Sequence, residues 1–473
     1  MTVELGDVQG LFARGYRDLR AASFLLLRVD DGGAARRWLG ATASAVTTAE
    51  TSPTGRAVNL ALTSSGLEAL GLRADVLAAF SNEFVNGMTT PHRTRILGDV
   101  GASAPENWEW GWGDGRVDLA LLLYASEDGE LDTLEQEQTG RLAAGGLGVV
   151  RRLGTSDLDD FEPFGFRDGI SQPLVEGLSK TGPPERTVRA GEFLLGYPNE
   201  YGLYTDRPLL APADDPAKTL PRDAQGSRRA DLGRNGSYLV FRQLRQDVPG
   251  FWRYVDGATG GDPQARTRLA AKMVGRWPGG APLVLAPDAE VDVRTFPDPN
   301  DFAYQALDPR GARCPIGSHI RRSHPRDSLD PHPGTNDSWA LNRRHRILRR
   351  GREYGTSLTV EQALAGDDTE RGLNFMCLTA NIQRQFEFVS HTWLNNPKFG
   401  GLYDDADPIA APSEPRGATF TIPTEGVRER VTGVPRFVSV RGGAYFFLPG
   451  VAALRYLAGI GGEPGNSSSP LGS

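Results

Sequence analysis

Three kinds of side chain suited to redox chemistry stand far apart in this chain. They are an acid on a glycine-flanked loop (Gly165-Phe166-Arg167-Asp168-Gly169-Ile170-Ser171-Gln172-Pro173), a histidine, His319, and an arginine, Arg349. Together they are the parts needed to hold a haem iron and to split a peroxide above it. The macrocycle supplies four nitrogens, so a single neutral imidazole suffices as axial ligand. A carboxylate can carry a proton between the two peroxide oxygens, and a fixed cation can stabilise the negative charge that develops.

Each residue also has an ordinary reading. Asp-Gly is a common turn dipeptide, a lone histidine is usually a surface or packed residue, and Arg349 belongs to an arginine-rich strand. Against the turn reading, Phe164, Phe166 and Ile170 surround the Asp168 carboxylate with apolar groups. A charge there is costly unless it is paired or used, and Arg349 is a candidate partner. Gly165 and Gly169 would let the backbone approach a flat ligand closely. Five histidines, His319, His324, His332, His345 and His391, fall in the second part of the chain. His319 and His324 miss the i, i+4 spacing of a zinc-protease pair, and no His-Glu-x-x-His occurs. His319 stands ahead of the others because Cys314-Pro315-Ile316-Gly317-Ser318 leads into it as a small-residue approach loop.

These groups need a scaffold. Apolar periodicity predicts strands over 24–29, 57–62, 117–125 and 147–153, with helical spacing over 34–39, 65–72 and 131–142 between them. That order is a split βαβ unit, an antiparallel sheet with helices on one face. A second set follows, with strands over 238–244, 346–352, 373–380 and 437–447 and helices over 264–274, 382–394 and 451–457. The polar, proline-rich stretch 199–231 is the natural connection. The expected architecture is α+β with two such units: residues 1–210 carrying the Asp168 loop, 211–460 carrying His319, and 461–473 as a mobile tail with nothing to bury.

Composition narrows the function classes. The chain has 473 residues, enough for two domains. A net charge of −7 spread along the sequence, with the arginines of 343–352 interleaved with apolar residues, argues against a nucleic-acid partner. No apolar run approaches a membrane span. The start lacks the order of a secretory signal, so a cytoplasmic protein is expected, and the sequons at Asn235, Asn336 and Asn466 are read as chance matches. Cys314 and Cys377 show no CxxC spacing and read as reduced thiols.

Gly165-Phe166-Arg167-Asp168-Gly169 resembles the GxxDG signature of dye-decolourising (DyP-type) haem peroxidases. Other segments resemble the long bacterial subgroup of that family in the same order: Asp7-Val8-Gln9-Gly10-Leu11, Gly191-Glu192-Phe193-Leu194-Leu195-Gly196-Tyr197, Asn235-Gly236-Ser237-Tyr238-Leu239-Val240-Phe241-Arg242, Cys314 through Arg322, and Arg384-Gln385-Phe386-Glu387-Phe388. The resemblance runs from about residue 7 to 458. It implies two ferredoxin-like domains of the dimeric α+β barrel type and one haem b, held mainly by the second. His319 would be the iron ligand, Asp168 the distal acid and Arg349 the distal arginine. Leu373 and Phe375 would line the distal face, with Gly169 beside the cofactor. Where many members place an acid against the proximal imidazole, the resemblance puts Asn381 here, and a neutral amide would leave the iron a weaker electron donor.

The implied activity is reduction of hydrogen peroxide through an oxoferryl haem, which then takes single electrons from dyes, phenolics and other bulky reductants. Activity on dyes is expected to be best at acidic pH, since a carboxylic acid near its reference value of about 3.9 is a base only above it. Electrons from bulky donors would pass through aromatics such as Trp339, Tyr354 or Trp393, each of which also reads as a packing residue. Two alternatives remain: a haem-binding or iron-releasing carrier on the same fold, and a cofactor-free interaction module. The sequence leaves open the natural reductant, manganese oxidation and whether the chain is a monomer or a homo-oligomer.

Overall fold

The computed structural model describes residues 2–156, 160–178, 182–412 and 417–461; the expected tail from 462 onward and the sequon at Asn466 lie outside the described residues. In the first half, β1 (Ala21–Val29), α1 (Gly32–Ala43), β2 (Arg56–Leu62), α2 (Ser64–Ala69), β3 (Leu119–Ala125), α3 (Asp128–Thr139) and β4 (Leu147–Gly154) follow one another. In the second come β5 (Ser237–Gln246), α4 (Val248–Ala258), α5 (Pro263–Val274), α6 (His319–Ser323), β6 (Leu348–Arg349), β7 (Arg352–Tyr354), β8 (Gly372–Thr379), β9 (Val438–Leu448) and α7 (Val451–Gly459). Between β8 and β9 the backbone winds as π-helix over Gln383–Glu387 and Val389–Leu394, where an ordinary helix was expected.

All nine strands join one antiparallel sheet in the order β6-β8-β5-β9-β2-β3-β1-β4, with β7 also on β8. Each half has the same internal order, its first strand between its third and fourth, which is the ferredoxin-like arrangement expected. The strand expected over 346–352 is interrupted: Leu348 and Arg349 pair with Leu378 and Cys377, and Arg352 to Tyr354 resume the ladder opposite Asn374 to Gly372.

The sheet bends round on itself. β1 and β5 are four places apart in the strand order, about 19 Å at the usual strand spacing, yet the rings of Phe24 on β1 and Phe241 on β5 have centroids 5.7 Å apart. The two outer edges also meet, since Ser156 just past β4 donates to the Glu353 carbonyl of β7 at 3.0 Å and the Asn374 amide of β8 donates to Gly154 O at 3.1 Å. This curvature explains why β1 and β3 are apolar on both faces. Phe24, Leu26, Leu122, Tyr124, Phe241 and Phe446 fill the inside. Leu25, Leu27, Leu60, Leu121 and Leu123 pack outward against helices that include α1, α3 and α7. Alternating sides of a two-sided buried strand both need apolar residues. Among the described residues no helix is long and apolar enough to cross a membrane.

Candidate active site

Arg349 ends β6, paired with Cys377 of β8. Paired residues of an antiparallel ladder share a face, and so do alternate residues of one strand. Arg349, Cys377, Phe375 and Leu373 therefore lie on the same side of the sheet. Facing them is the loop that bears Asp168. Gly165 and Gly169 have φ of +91° and +71°, which favours glycine at both positions, and open space surrounds the point where a Cβ of Gly169 would be. The loop is folded about Glu162, whose carboxylate accepts from the Phe164 and Phe166 N–H groups and from the Gln246 amide at 2.8–3.1 Å. Burial, offset in part by those donors, pushes Glu162 up to about 7.

The loop brings Asp168 against Arg349, with Nη1 at 3.0 Å from Oδ1 and 3.3 Å from Oδ2. Their side chains remain 31% and 34% accessible. Burial alone would raise the Asp168 carboxyl; the Arg349 charge and the Gly169 N–H outweigh it and hold the group below the usual carboxylate value. His319 opens α6 and is one third accessible. His319 and Asp168 influence each other's charge, and so do Arg349 and His319, while only Asp168 and Arg349 are in direct contact.

The imidazole's partner differs from the one expected. Nδ1 of His319 is 2.9 Å from Oδ2 of Asp407, a fully buried carboxylate whose Oδ1 accepts the Ile409 and Ala410 N–H groups at 2.9 and 2.8 Å. Burial disfavours charge on the ring, but the Asp407 carboxylate more than compensates and raises its affinity for a proton. Asn381 is elsewhere: its amide oxygen accepts the Arg384 N–H at 2.8 Å, the bond of a helix N-cap, and its own N–H is taken by the Gln385 side chain. The imidazole thus has an acid as its partner after all, supplied by a loop the sequence did not mark.

A second group unmarked in the sequence is a basic cavity beside the Asp168 loop, lined by Ser171, Gln172, Arg186, His324, Arg326, Trp339, Asn342, Arg343 and Arg346. Arg186 and Arg343 are paired with Asp298 and Glu200. Arg326 donates to the carbonyls of Asn300 and Phe302. The guanidinium of Arg346 has no anionic partner among the described residues, and burial together with the charges of Arg326, Arg349 and Arg186 pushes it down to about 9. Nδ2 of Asn342 is buried without a hydrogen bond. Of the aromatics considered for electron passage, Trp339 lines this cavity, Tyr354 lies in β7, and Trp393 is buried beside Phe388, Phe399 and His345.

No family model matches the chain. Among characterised proteins, Peroxidase 2 of Mycetinis scorodonius is 32% identical over 436 residues, covering 86% of this chain and 77% of its own. A multifunctional dye peroxidase of Amycolatopsis sp. is 29% identical over 423 residues, with 85% and 82% covered. Among solved structures, a dye-decolorizing peroxidase in complex with cyanide superposes with a TM-score of 0.80 at 26% identity, covering 97% of this chain and all of that one. Another was solved in complex with 2,6-dimethoxyphenol and has a TM-score of 0.78 at 26% identity over 96% of this chain. These relatives support the peroxidase and give no support to the haem-carrier alternative. The chain belongs to the dye-decolorizing peroxidase family of haem enzymes, and it is a peroxidase, an oxidoreductase that takes peroxide as acceptor.

Proposed function

We propose that His319 binds the iron of a haem b through Nε2, that Asp168 moves the peroxide proton and that Arg349 is its electrostatic partner. The observation that supports this is the Asp168–Arg349 ion pair together with an imidazole whose Nδ1 is engaged by the buried Asp407 carboxylate. The cavity residues suit the group. A haem brings two carboxylates, and the unpaired Arg346 guanidinium and the orphaned Asn342 Nδ2 are donors in want of an anion. Leu373, Phe375 and Gly169 offer an apolar wall and a bare backbone to a flat ring. The bound haem would supply a Lewis-acidic iron that polarises peroxide and stores oxidising equivalents.

The remaining chemistry belongs to the chain. Asp168 is an anion at working pH because Arg349 keeps its carboxyl low, so it can accept the proton of the inner peroxide oxygen and return it to the outer one. Arg349 steadies the charge on the departing oxygen. On the other face, Asp407 accepts the Nδ1 proton, which fixes the tautomer, leaves Nε2 free as a donor atom and raises its basicity. We further propose that the chain works as two units, 1–210 and 211–460, each built on one half of the sheet. A reducing compartment suits Cys314 and Cys377, both buried and unpaired.

The test is rapid-mixing absorbance of haem-loaded protein with one equivalent of hydrogen peroxide. The haem spectrum should change within milliseconds in the natural chain. Asp168→Asn should keep the resting spectrum and slow that change about 10²–10⁴-fold. Equal rates in the two proteins would remove Asp168 as the proton carrier.

A further inference from the structure

The distal acid and the distal arginine come from segments remote in sequence, and one side chain ties the two backbones together. β6 is the outermost strand at its edge of the sheet. Arg350 donates its N–H to Met376 O of β8 at 2.8 Å. In the alternation of an antiparallel ladder, Arg349, one residue earlier, therefore turns its N–H and C=O away from β8, and an edge strand leaves such groups without a backbone partner. Gln172, on the same loop as Asp168, fills that place. Its Oε1 accepts the Arg349 N–H at 3.2 Å and its Nε2 donates to the Arg349 carbonyl at 3.3 Å. A carboxamide presents the same donor and acceptor as a peptide group, so Gln172 stands in for one residue of a further strand.

We propose that Gln172 is the positioning residue of the distal site, a clasp that fixes the Asp168 loop to the backbone of Arg349 and so sets the separation of the acid from the guanidinium; this rests on the roles assigned to those two residues. The salt bridge alone leaves that separation loose, because Arg349 is a long side chain one third exposed. With the clasp, the backbone anchors of both partners are held. The loop's near end is held independently, by the Glu162 carboxylate and by the Asp168 N–H donating to Asp160 O at 2.8 Å. Beyond Asp168 the loop is also tied by Asn300 Nδ2 donating to Ile170 O at 2.8 Å and by the pairing of Leu174 with Thr187, so loss of the clasp would loosen the stretch that faces Arg349 without unfolding the loop.

The haem-loaded full chain is compared with Gln172→Met, which fills the same space without donor or acceptor, and with Gln172→Glu, which keeps an acceptor for the Arg349 N–H. Two readouts are taken: hydrogen exchange of the Arg349 amide, and the pH profile of the second-order rate constant with hydrogen peroxide. The clasp predicts that Gln172→Met exchanges the Arg349 amide at least about tenfold faster, with Gln172→Glu still protected. It also predicts a peroxide step slower by on the order of 10–100-fold and an acid limb displaced to higher pH, since Asp168 loses part of the contact that holds its carboxyl low. The resting haem spectrum and the dependence on reductant concentration should not move. Unchanged exchange at Arg349, or an unchanged peroxide rate and acid limb, would overturn the proposal. Should Gln172→Met fail to load haem, Gln172→Asn, too short to reach Arg349, gives the same two readouts. Failure of the peroxidase reading looks different: the natural chain itself would not react with peroxide, which removes the roles of Asp168 and Arg349 and the clasp with them.

Discussion

The two halves of the sheet share one strand order and differ in what hangs between their strands. In the first, the connections after β1 and β3 cover 30–55 and 126–146 and hold α1 and α3 respectively. In the second, the corresponding connections cover 247–347 and 380–437. The first of these carries His319 and part of the lining of the basic cavity, the second Asp407 and the π-helical turns. The paired strands supply a rigid platform in both halves, and only the second half has extended its connections, which bear His319 and Asp407. The first half still contributes, since Asp168 comes from the segment that leaves it.

That contrast can be broken most severely at His319. His319→Ala should abolish the haem spectrum of the purified protein, whereas His92→Ala, an exposed residue of the first half, should leave it intact. Retained ligation in His319→Ala would move the iron site elsewhere. Next in size, Arg349→Leu should slow the peroxide step about 10²–10³-fold. The sign of its pH effect follows from the cause of the shift. Asp168 is held low by Arg349 against burial, so removing the guanidinium raises the carboxyl and the acid limb of the profile moves to higher pH. An acid limb that stays in place would show that Asp168 is not the titrating base. Asp407→Asn should cost about 10–100-fold in the peroxide step and raise the reduction potential of the iron, read by spectroelectrochemistry. The smallest kinetic effect belongs to the first half: Leu121→Ala should cost about 2–5 kcal/mol in denaturant unfolding while the peroxide rate per bound haem stays the same.

Much of this was legible because the strands follow simple rules. The runs of β1 and β3 announce themselves by length and by apolar residues on both faces, and the ring closure is the reason both faces are apolar. Asp168 and His319 could be picked from flanking glycines and an approach loop, because local chain geometry constrains local residue types. Asp407 could not, since it reaches His319 across 88 residues and its own surroundings read as an ordinary turn, with its carboxylate capping the Ile409 and Ala410 N–H groups. Asn381 was mistaken for the imidazole's partner because an asparagine that caps a helix and one that faces a ring look alike in sequence. The break between Arg349 and Arg352 was also hidden. Arg350 and Arg352 have no carboxylate partners in the sequence pattern; they donate to the carbonyls of Leu11, Phe12, Gly15, Tyr16, Leu19 and Arg20, a set that only the folded chain assembles.

The position of β9 has a consequence for the order in which the molecule is made. The last strand of the chain lies in the middle of the sheet, between β5 and β2, and the pairing of Phe447 with Leu62 is where the halves join. A ribosome must therefore deliver the chain through β9 before the ring can close. Until then the first half stands with the outer edge of β2 bare and the second with β5 half-paired. Contacts across such separations form slowly, and unpaired edges are the usual route to association between nascent chains. Truncation before residue 438 should accordingly give aggregates rather than a smaller folded protein.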